Sequence, residues 1–205
     1  MTNRLRRLAI LLGILCMLTP SSVLATEGDE AAAPAVIAKK SEPPAKLGRL
    51  DSAPVIDGKL DDEVWSQAVV LKDFLQVQPG DNIEPSQRTE VLLGHDGKTL
   101  FIAFRCFDNE PDKIRATIPK RDQIFDDDYV GVYLDTFNDQ RRAYIFFFNP
   151  LGVQADGVFT ESQGEDYNVD VVMDSKGSTT PDGYIVEVAV PFKSIRYEAG
   201  EGKQW

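Results

Sequence analysis

The sequence has very few of the residues on which metal sites and nucleophilic catalysis depend. It contains one histidine, His95, and two cysteines, Cys16 and Cys106, in 205 residues. These counts exclude a zinc site built from cysteine and histidine. His95 sits at a predicted hairpin tip, where a solvated turn residue is the simplest interpretation. The chain also has no glycine-rich phosphate loop, so the composition favours a protein without catalytic activity.

The chain also lacks an apolar run long enough to span a bilayer comfortably. Instead, Arg4, Arg6 and Arg7 precede the apolar residues 8–18, and residues 23–25 fit a small-residue cleavage site. We predict a signal peptide at residues 1–25, with a membrane anchor as the alternative. Cleavage would leave a single cysteine, so no internal disulfide could form. An exported chain without disulfides suits a bacterial periplasm or envelope.

The next segment, residues 26–49, is rich in Ala, Pro, Glu and Lys and shows no hydrophobic period. This composition is typical of a disordered linker. Residues 50–205 are then long enough for one domain with one core. The formal net charge of −11 argues against a nucleic-acid partner, because the phosphate backbone would repel the chain. It is compatible with neutral sugars or with cations.

Residues 126–157 carry the clearest strand pattern. Val130, Val132 and Leu134 alternate with Tyr129, Gly131 and Tyr133, which predicts one buried and one open face. The following strand is apolar on both faces and should be covered. Many short strands separated by turns predict an all-β protein, an antiparallel β-sandwich of jelly-roll type with one or two short helices. Further strands are predicted at residues 50–56, 69–77, 89–94, 99–107, 169–173 and 184–190, and a short helix at 60–68 that places Trp65 in the core.

Carboxylates are the most abundant candidate ligands. Asp126, Asp127, Asp128 and Asp156, with Glu161 nearby in sequence, lie on predicted loops or strand ends. Several loop oxygens are what Ca²⁺ prefers, and a row of carboxylates without a cation would repel itself. The alternative is a set of solvated surface acids. Paired acids could also hydrolyse a glycoside, but any acidic sequence offers such pairs.

Aromatic residues near these acids are candidates for sugar binding, because a flat ring can cover the apolar face of a pyranose. The alternative for each of them is a place in the core. The candidates are Phe125, Tyr129, Tyr133, Phe137, Tyr144 and Tyr167.

Three segments together resemble the family 9 carbohydrate-binding modules. They are IDGKLDDEVW at 56–65, DDYVGVYLD at 127–135 and GYIVEVAVPF at 183–192. Residues 135–139, 149–154 and 191–197 are similar to bacterial envelope proteins that carry such a domain before an outer-membrane β-barrel. This likeness implies a Gram-negative periplasm or outer membrane, with the protein's own C-terminal barrel as a partner.

The resemblance implies a β-sandwich with bound calcium that recognises sugar-chain ends between stacked aromatics and often accompanies xylan-degrading hydrolases. It places Phe125 at a stacking position and keeps Asn149 as a binding residue. It places an acid and a base where this chain has Gly131 and Phe147.

The sequence therefore supports three functions. The first is a non-catalytic carbohydrate-binding module for polysaccharides of the xylan or cellulose type, with Phe125, Tyr129, Tyr133 and Asn149 framing the ligand. The second is a structural periplasmic domain of an outer-membrane barrel protein, without sugar affinity. The third is a hydrolase in its own right.

Overall fold

The computed structural model describes residues 44–200 and 203–205 and contains ten strands. The predicted signal peptide and most of the predicted linker lie outside these residues. None of the helices within them is long and apolar enough to cross a membrane. The strands are β1 Gly48–Arg49, β2 Val69–Leu71, β3 Thr89–His95, β4 Thr99–Phe107, β5 Val130–Leu134, β6 Arg142–Phe148, β7 Gln154–Thr160, β8 Gly164–Asp166, β9 Asp174–Thr180 and β10 Gly183–Pro191.

The strands form two sheets, which confirms the predicted all-β sandwich. The first sheet has the order β1-β3-β4-β10-β9, with β2 also paired to β3. All its pairs are antiparallel except β1 with β3. The second sheet is an antiparallel meander in the order β5-β6-β7-β8.

The main core lies between the two sheets. Alternate residues of β4 and β10 face inward from the first sheet, and those of β5 and β6 from the second. Phe146 and Phe148 are completely buried there, and Cys106 is buried as predicted. Burial raises the pKa of the Cys106 thiol to about 11, which keeps it protonated and unreactive. The predicted alternation in β5 is confirmed, and β6 is covered on both faces.

Several predicted boundaries are wrong. Residues 169–173 form no strand, and a strand that was not predicted lies instead at β9. It was missed because β9 is a polar edge strand that lacks the apolar alternation on which the prediction relied. The entering strand 50–56 is absent, although β1 pairs just before it, and strand 69–77 shortens to β2. The predicted helix at 60–68 is a 3₁₀ helix at Glu63–Gln67.

A buried carboxylate attaches that 3₁₀ helix and the preceding turn to the outer face of the first sheet. Glu187 of β10 is fully buried and accepts hydrogen bonds from the backbone N–H groups of Asp57, Gly58 and Lys59 at 3.1, 2.8 and 3.2 Å. The indole Nε1 of Trp65 donates a fourth bond to it at 2.8 Å. Burial raises the pKa of this carboxyl, and the four donors oppose that shift. Trp65 is therefore a core residue, as predicted, and is only 4% exposed.

We expect Glu187→Ala to lower the free energy of unfolding by at least about 3 kcal/mol, because it leaves four donors without their acceptor and a hydrogen bond to a charged group contributes about 1.5–3 kcal/mol. Urea denaturation measures this change. Glu63→Ala is the control, since Glu63 is exposed and its loss should change stability by no more than about 0.5 kcal/mol. Equal losses in the two variants would contradict the assigned role of Glu187.

Candidate functional site

The outer face of the second sheet carries a row of exposed aromatic side chains. Tyr129, immediately before β5, and Tyr133, within it, are 48% and 51% exposed. They point outward because strand alternation sends Val130 and Val132 into the core. Gly131 lies between the two tyrosines on this face, so β5 itself contributes no side chain to the space between them.

The ring of Phe147 occupies the space above Gly131. The two residues are paired across β5 and β6, and a Cβ atom at position 131 would lie 2.2 Å from Cδ1 of Phe147. Phe147 is 9% exposed and belongs to a small apolar cluster with Ile124, Ile145 and Ala155. It therefore forms the floor of the aromatic face.

Three rings stand steeply against this floor. The rings of Phe125, Tyr129 and Tyr133 lie 5.7, 5.8 and 5.8 Å from that of Phe147, at interplanar angles of 73°, 87° and 85°. Phe125 also contacts Tyr167 at 5.5 Å. Rings at such angles form walls around a space instead of one flat layer. The result is an open cleft of about 440 Å³, here called the aromatic cleft, lined by Phe125, Tyr129, Tyr133, Phe147, Glu165 and Tyr167.

Glu165 of β8 provides the one ionisable carboxyl among the lining residues. The hydroxyl of Tyr133 donates to its Oε1, and the hydroxyl of Tyr167 donates to its Oε2 at 2.6 Å. These two hydrogen bonds lower the pKa of Glu165, with burial opposing them. The bond to Glu165 raises the pKa of Tyr133 to about 12. At neutral pH the cleft therefore holds a carboxylate oriented by two neutral phenols.

The structure brings three of the four predicted sugar-binding residues together, and the exception is Asn149. Its side chain is fully buried. Its Nδ2 donates to the carbonyl of Thr117 and to Asp127, each at 2.8 Å, and its Oδ1 accepts from the backbone N–H groups of Leu151 and Val153. Oδ1 therefore holds the turn of Asn149 itself and Nδ2 attaches that turn to neighbouring loops, and Asn149 does not line the cleft.

Two of the predicted calcium ligands attach a loop to the edge of the second sheet. Asp127 accepts from the backbone N–H and the hydroxyl of Thr117, and from Asn149. Burial opposes ionisation of Asp127, yet these donors outweigh it and lower the pKa of its carboxyl. Asp128 accepts from the backbone N–H of Arg115 at 2.7 Å. Hydrogen bonds from protein groups therefore stabilise the negative charges of Asp127 and Asp128, for which the sequence analysis had expected a cation.

The other two predicted ligands do not complete a metal site. Asp156 is fully buried and bonds to the guanidinium of Arg121 and to the backbone N–H of Val171, while Asp126 is exposed. No group of three or more acid, histidine or cysteine side chains in residues 44–200 and 203–205 is arranged to hold a metal ion. The four aspartates do not fit a calcium site in this arrangement, and calcium binding stays a prediction.

A second concavity, of about 350 Å³, lies on the outer face of the first sheet. It includes Trp65, but that indole is buried and bonded to Glu187, so it presents no open ring face.

Two further aromatic candidates, Phe137 and Tyr144, lie outside the aromatic cleft. Phe137 packs under the guanidinium of Arg142, and the hydroxyl of Tyr144 accepts from the backbone of Arg196.

Sequence analysis did not select Glu165 or Phe147 for this site. Residues 158–168 had the composition of an acidic loop, but they include the end of β7 and all of β8. Glu165 pairs with Phe159 and so shares the outer face with the aromatic residues. Alternation within the short segment from Glu165 to Tyr167 is a signal that would have placed both residues on one face.

Comparison with known proteins gives one family match and several similar folds. The family described as "Carbohydrate family 9 binding domain-like" matches residues 56–204. A family 9 carbohydrate-binding module from Caldicellulosiruptor kristjanssonii, solved with cellotriose and with glucose, matches with a TM-score of 0.51 and 17% identity over 71% of this chain and 66% of that one. A candidate carbohydrate-binding protein from Bacteroides uniformis ATCC 8492 matches with a TM-score of 0.55 and 11% identity, over 74% of this chain and 73% of that chain. The TM-scores show that these proteins share the fold of this chain, and at such low sequence identities the comparison shows the fold alone. No curated protein matches the sequence.

We expect Gly131→Ala to lower the free energy of unfolding by about 1–3 kcal/mol, the usual range when a packed site is overfilled. The new methyl group would displace the Phe147 ring. A double-mutant cycle with Phe147→Leu, followed by urea denaturation, measures the coupling, because the smaller side chain should relieve part of the clash. Strictly additive losses would show that the two positions do not share this space.

Proposed function

The chain belongs to the carbohydrate family 9 binding domain-like family, and on that premise we propose that it binds the sugar rings of an oligosaccharide or polysaccharide in the aromatic cleft. The observation that supports this proposal is the convergence of five aromatic rings and one carboxylate on a single open cleft. Such a cleft offers both kinds of contact that a sugar needs. Its ring faces cover the apolar C–H face of a pyranose, and Glu165 accepts hydrogen bonds from sugar hydroxyls.

The sugar rings we propose are pyranoses with equatorial substituents, of the shape found in the glucans and xylans of plant cell walls. The related module from Caldicellulosiruptor kristjanssonii was solved with cellotriose and with glucose, and equatorial hydroxyls leave the faces of such rings apolar. The exposed rings of Tyr129 and Tyr133 stand on either side of the Phe147 ring, which covers Gly131. We propose that one sugar ring lies on this floor between the two tyrosines.

We further propose that the cleft binds without cleaving. Glycoside hydrolysis by the usual mechanisms needs two carboxyl groups, about 5–9.5 Å apart, on either side of the bond. Among the described residues that line the cleft, Glu165 is the one carboxylic acid. In this proposal the domain delivers an associated hydrolase or transport system to its polysaccharide.

The alternative is a structural domain of an outer-membrane barrel protein, without sugar affinity. Two positions favour it, because Gly131 and Phe147 stand where the family resemblance places an acid and a base.

Titration calorimetry with cello- and xylo-oligosaccharides separates the two functions. Heat of binding with either series supports the carbohydrate-binding module, and its absence with every sugar tested supports the structural domain. Parallel titrations with calcium and with a chelator test the predicted dependence on calcium.

We expect Phe125→Ala to weaken oligosaccharide binding about five- to tenfold, because an aromatic contact of this kind contributes about 1 kcal/mol. Calorimetry measures the dissociation constant. Phe74→Ala is a matched control, because Phe74 and Phe125 are each 41% exposed and Phe74 does not line the cleft. An unchanged affinity in Phe125→Ala, with heat still released on binding, would place the sugar elsewhere.

We also propose that the protein is exported to the periplasm or outer membrane of a Gram-negative bacterium. If residues 1–25 are a signal peptide, the mature chain should begin at Thr26. N-terminal sequencing of protein recovered from a periplasmic or membrane fraction measures this directly. A mature chain that retains Met1 and stays in the cytoplasmic fraction would exclude export.

A further inference from the structure

The aromatic cleft contains a negative charge without a positive one beside it. Glu165 takes part in none of the salt bridges formed among residues 44–200 and 203–205. The ion pairs nearest to it in sequence are those of Arg121 with Asp156 and Asp170. No lysine or arginine is among the residues that line the cleft. The titratable groups that face Glu165 are the hydroxyls of Tyr133 and Tyr167, and both of them donate to it.

Glu165 retains hydrogen-bonding capacity for a ligand. A carboxylate has about four lone-pair positions, and two are taken by the hydroxyls of Tyr133 and Tyr167. The residue is exposed, so the remaining positions are open to solvent. Because both protein donors are neutral phenols, the full negative charge is available to a bound group.

We propose, resting on the proposed function, that the aromatic cleft selects sugars with protonated amino groups, such as glucosamine oligosaccharides, over neutral and uronic-acid sugars. A cation is attracted to the negative faces of aromatic rings as well as to a carboxylate. In this cleft five rings surround the space that Glu165 faces. The amino group takes the position of one sugar hydroxyl, so the C–H face of the same ring still rests against the aromatic side chains.

The same charge excludes acidic sugars. A uronic-acid carboxylate would lie near Glu165 and among ring faces that repel anions. The protein's net charge of −11 adds to that repulsion at low salt. A neutral sugar is not repelled by Glu165 or by the ring faces, but its only interaction with those faces is apolar contact. The expected order of affinity is therefore amino sugar, then neutral sugar, then uronic acid.

The test compares matched ligands by calorimetry under mildly acidic conditions, where the sugar amines are protonated. The probes are the tetramers of glucosamine, N-acetylglucosamine, glucose and galacturonic acid. We expect the glucosamine tetramer to bind about tenfold more tightly than the other three, and the preference to fall as salt is raised. Glu165→Gln should reduce the preference for the glucosamine tetramer over the glucose tetramer to less than about threefold. Because Glu165 also accepts hydrogen bonds from sugar hydroxyls, both affinities should fall in this variant, and the ratio between them is the quantity that tests the inference.

Non-specific attraction of a cationic oligomer to an acidic protein is the main competing explanation. Glu161→Gln controls for it, because this exposed residue precedes β8, lies outside the cleft lining and carries the same charge. The inference requires Glu161→Gln to keep the full preference. A preference that survives in Glu165→Gln, or that is lost equally in both variants, overturns it.

The outcomes also separate this inference from the proposed function. If all neutral and amino sugars bind with equal affinity, carbohydrate binding stands and the selection for amines is wrong. If the glucose tetramer binds and the glucosamine tetramer does not, the selection is likewise wrong. If no tetramer releases heat, the proposed function itself fails. Thermal unfolding of both variants verifies that each remains folded.

Discussion

The part of the molecule outside the sandwich core depends on one buried carboxylate, that of Glu187. It accepts hydrogen bonds from three backbone N–H groups of the turn around Gly58 and from the indole N–H of Trp65. The hydroxyl of Ser178 fixes the same turn by donating to the carbonyl of Gly58 at 2.6 Å. Two segments that are far apart in sequence, 56–65 and 183–192, are therefore the two sides of a single contact. A buried charge of this kind needs all its partners, because losing one leaves the others unpaired in a dry environment.

In the second sheet, the residues that hold the loops in place are different from those that form the floor of the aromatic cleft. The acid pair Asp127 and Asp128 and the turn residue Asn149 hold loops in place through bonds to protein groups. Gly131 and Phe147 are complementary, since the ring of Phe147 fills the space that a side chain at position 131 would need. The Phe147 ring therefore gives the cleft an apolar floor. Neither position contributes to the inter-sheet core.

Much of the sandwich was predictable from local patterns. The alternation in β5 and the hairpin of β3 and β4 follow from the period of apolar residues, and both are confirmed. The polar edge strand β9 carried no such signal, because its position comes from pairing with β10. The cleft was predictable only in part. Tyr129 and Tyr133 share a strand face, so sequence spacing relates them, whereas Glu165 reaches them only through the order of strands in the sheet.

The places where the chain enters and leaves the described fold lie at one end of the first sheet. Arg49 of β1 pairs with His95, and Trp205 packs against Phe192, whose ring lies 6.4 Å from that of His95. The aromatic cleft opens instead from the outer face of the second sheet. Both points therefore belong to the sheet that does not carry the cleft. Under the proposed function, a polysaccharide in the aromatic cleft would lie against the second sheet, whereas the chain enters and leaves the described fold at the first sheet.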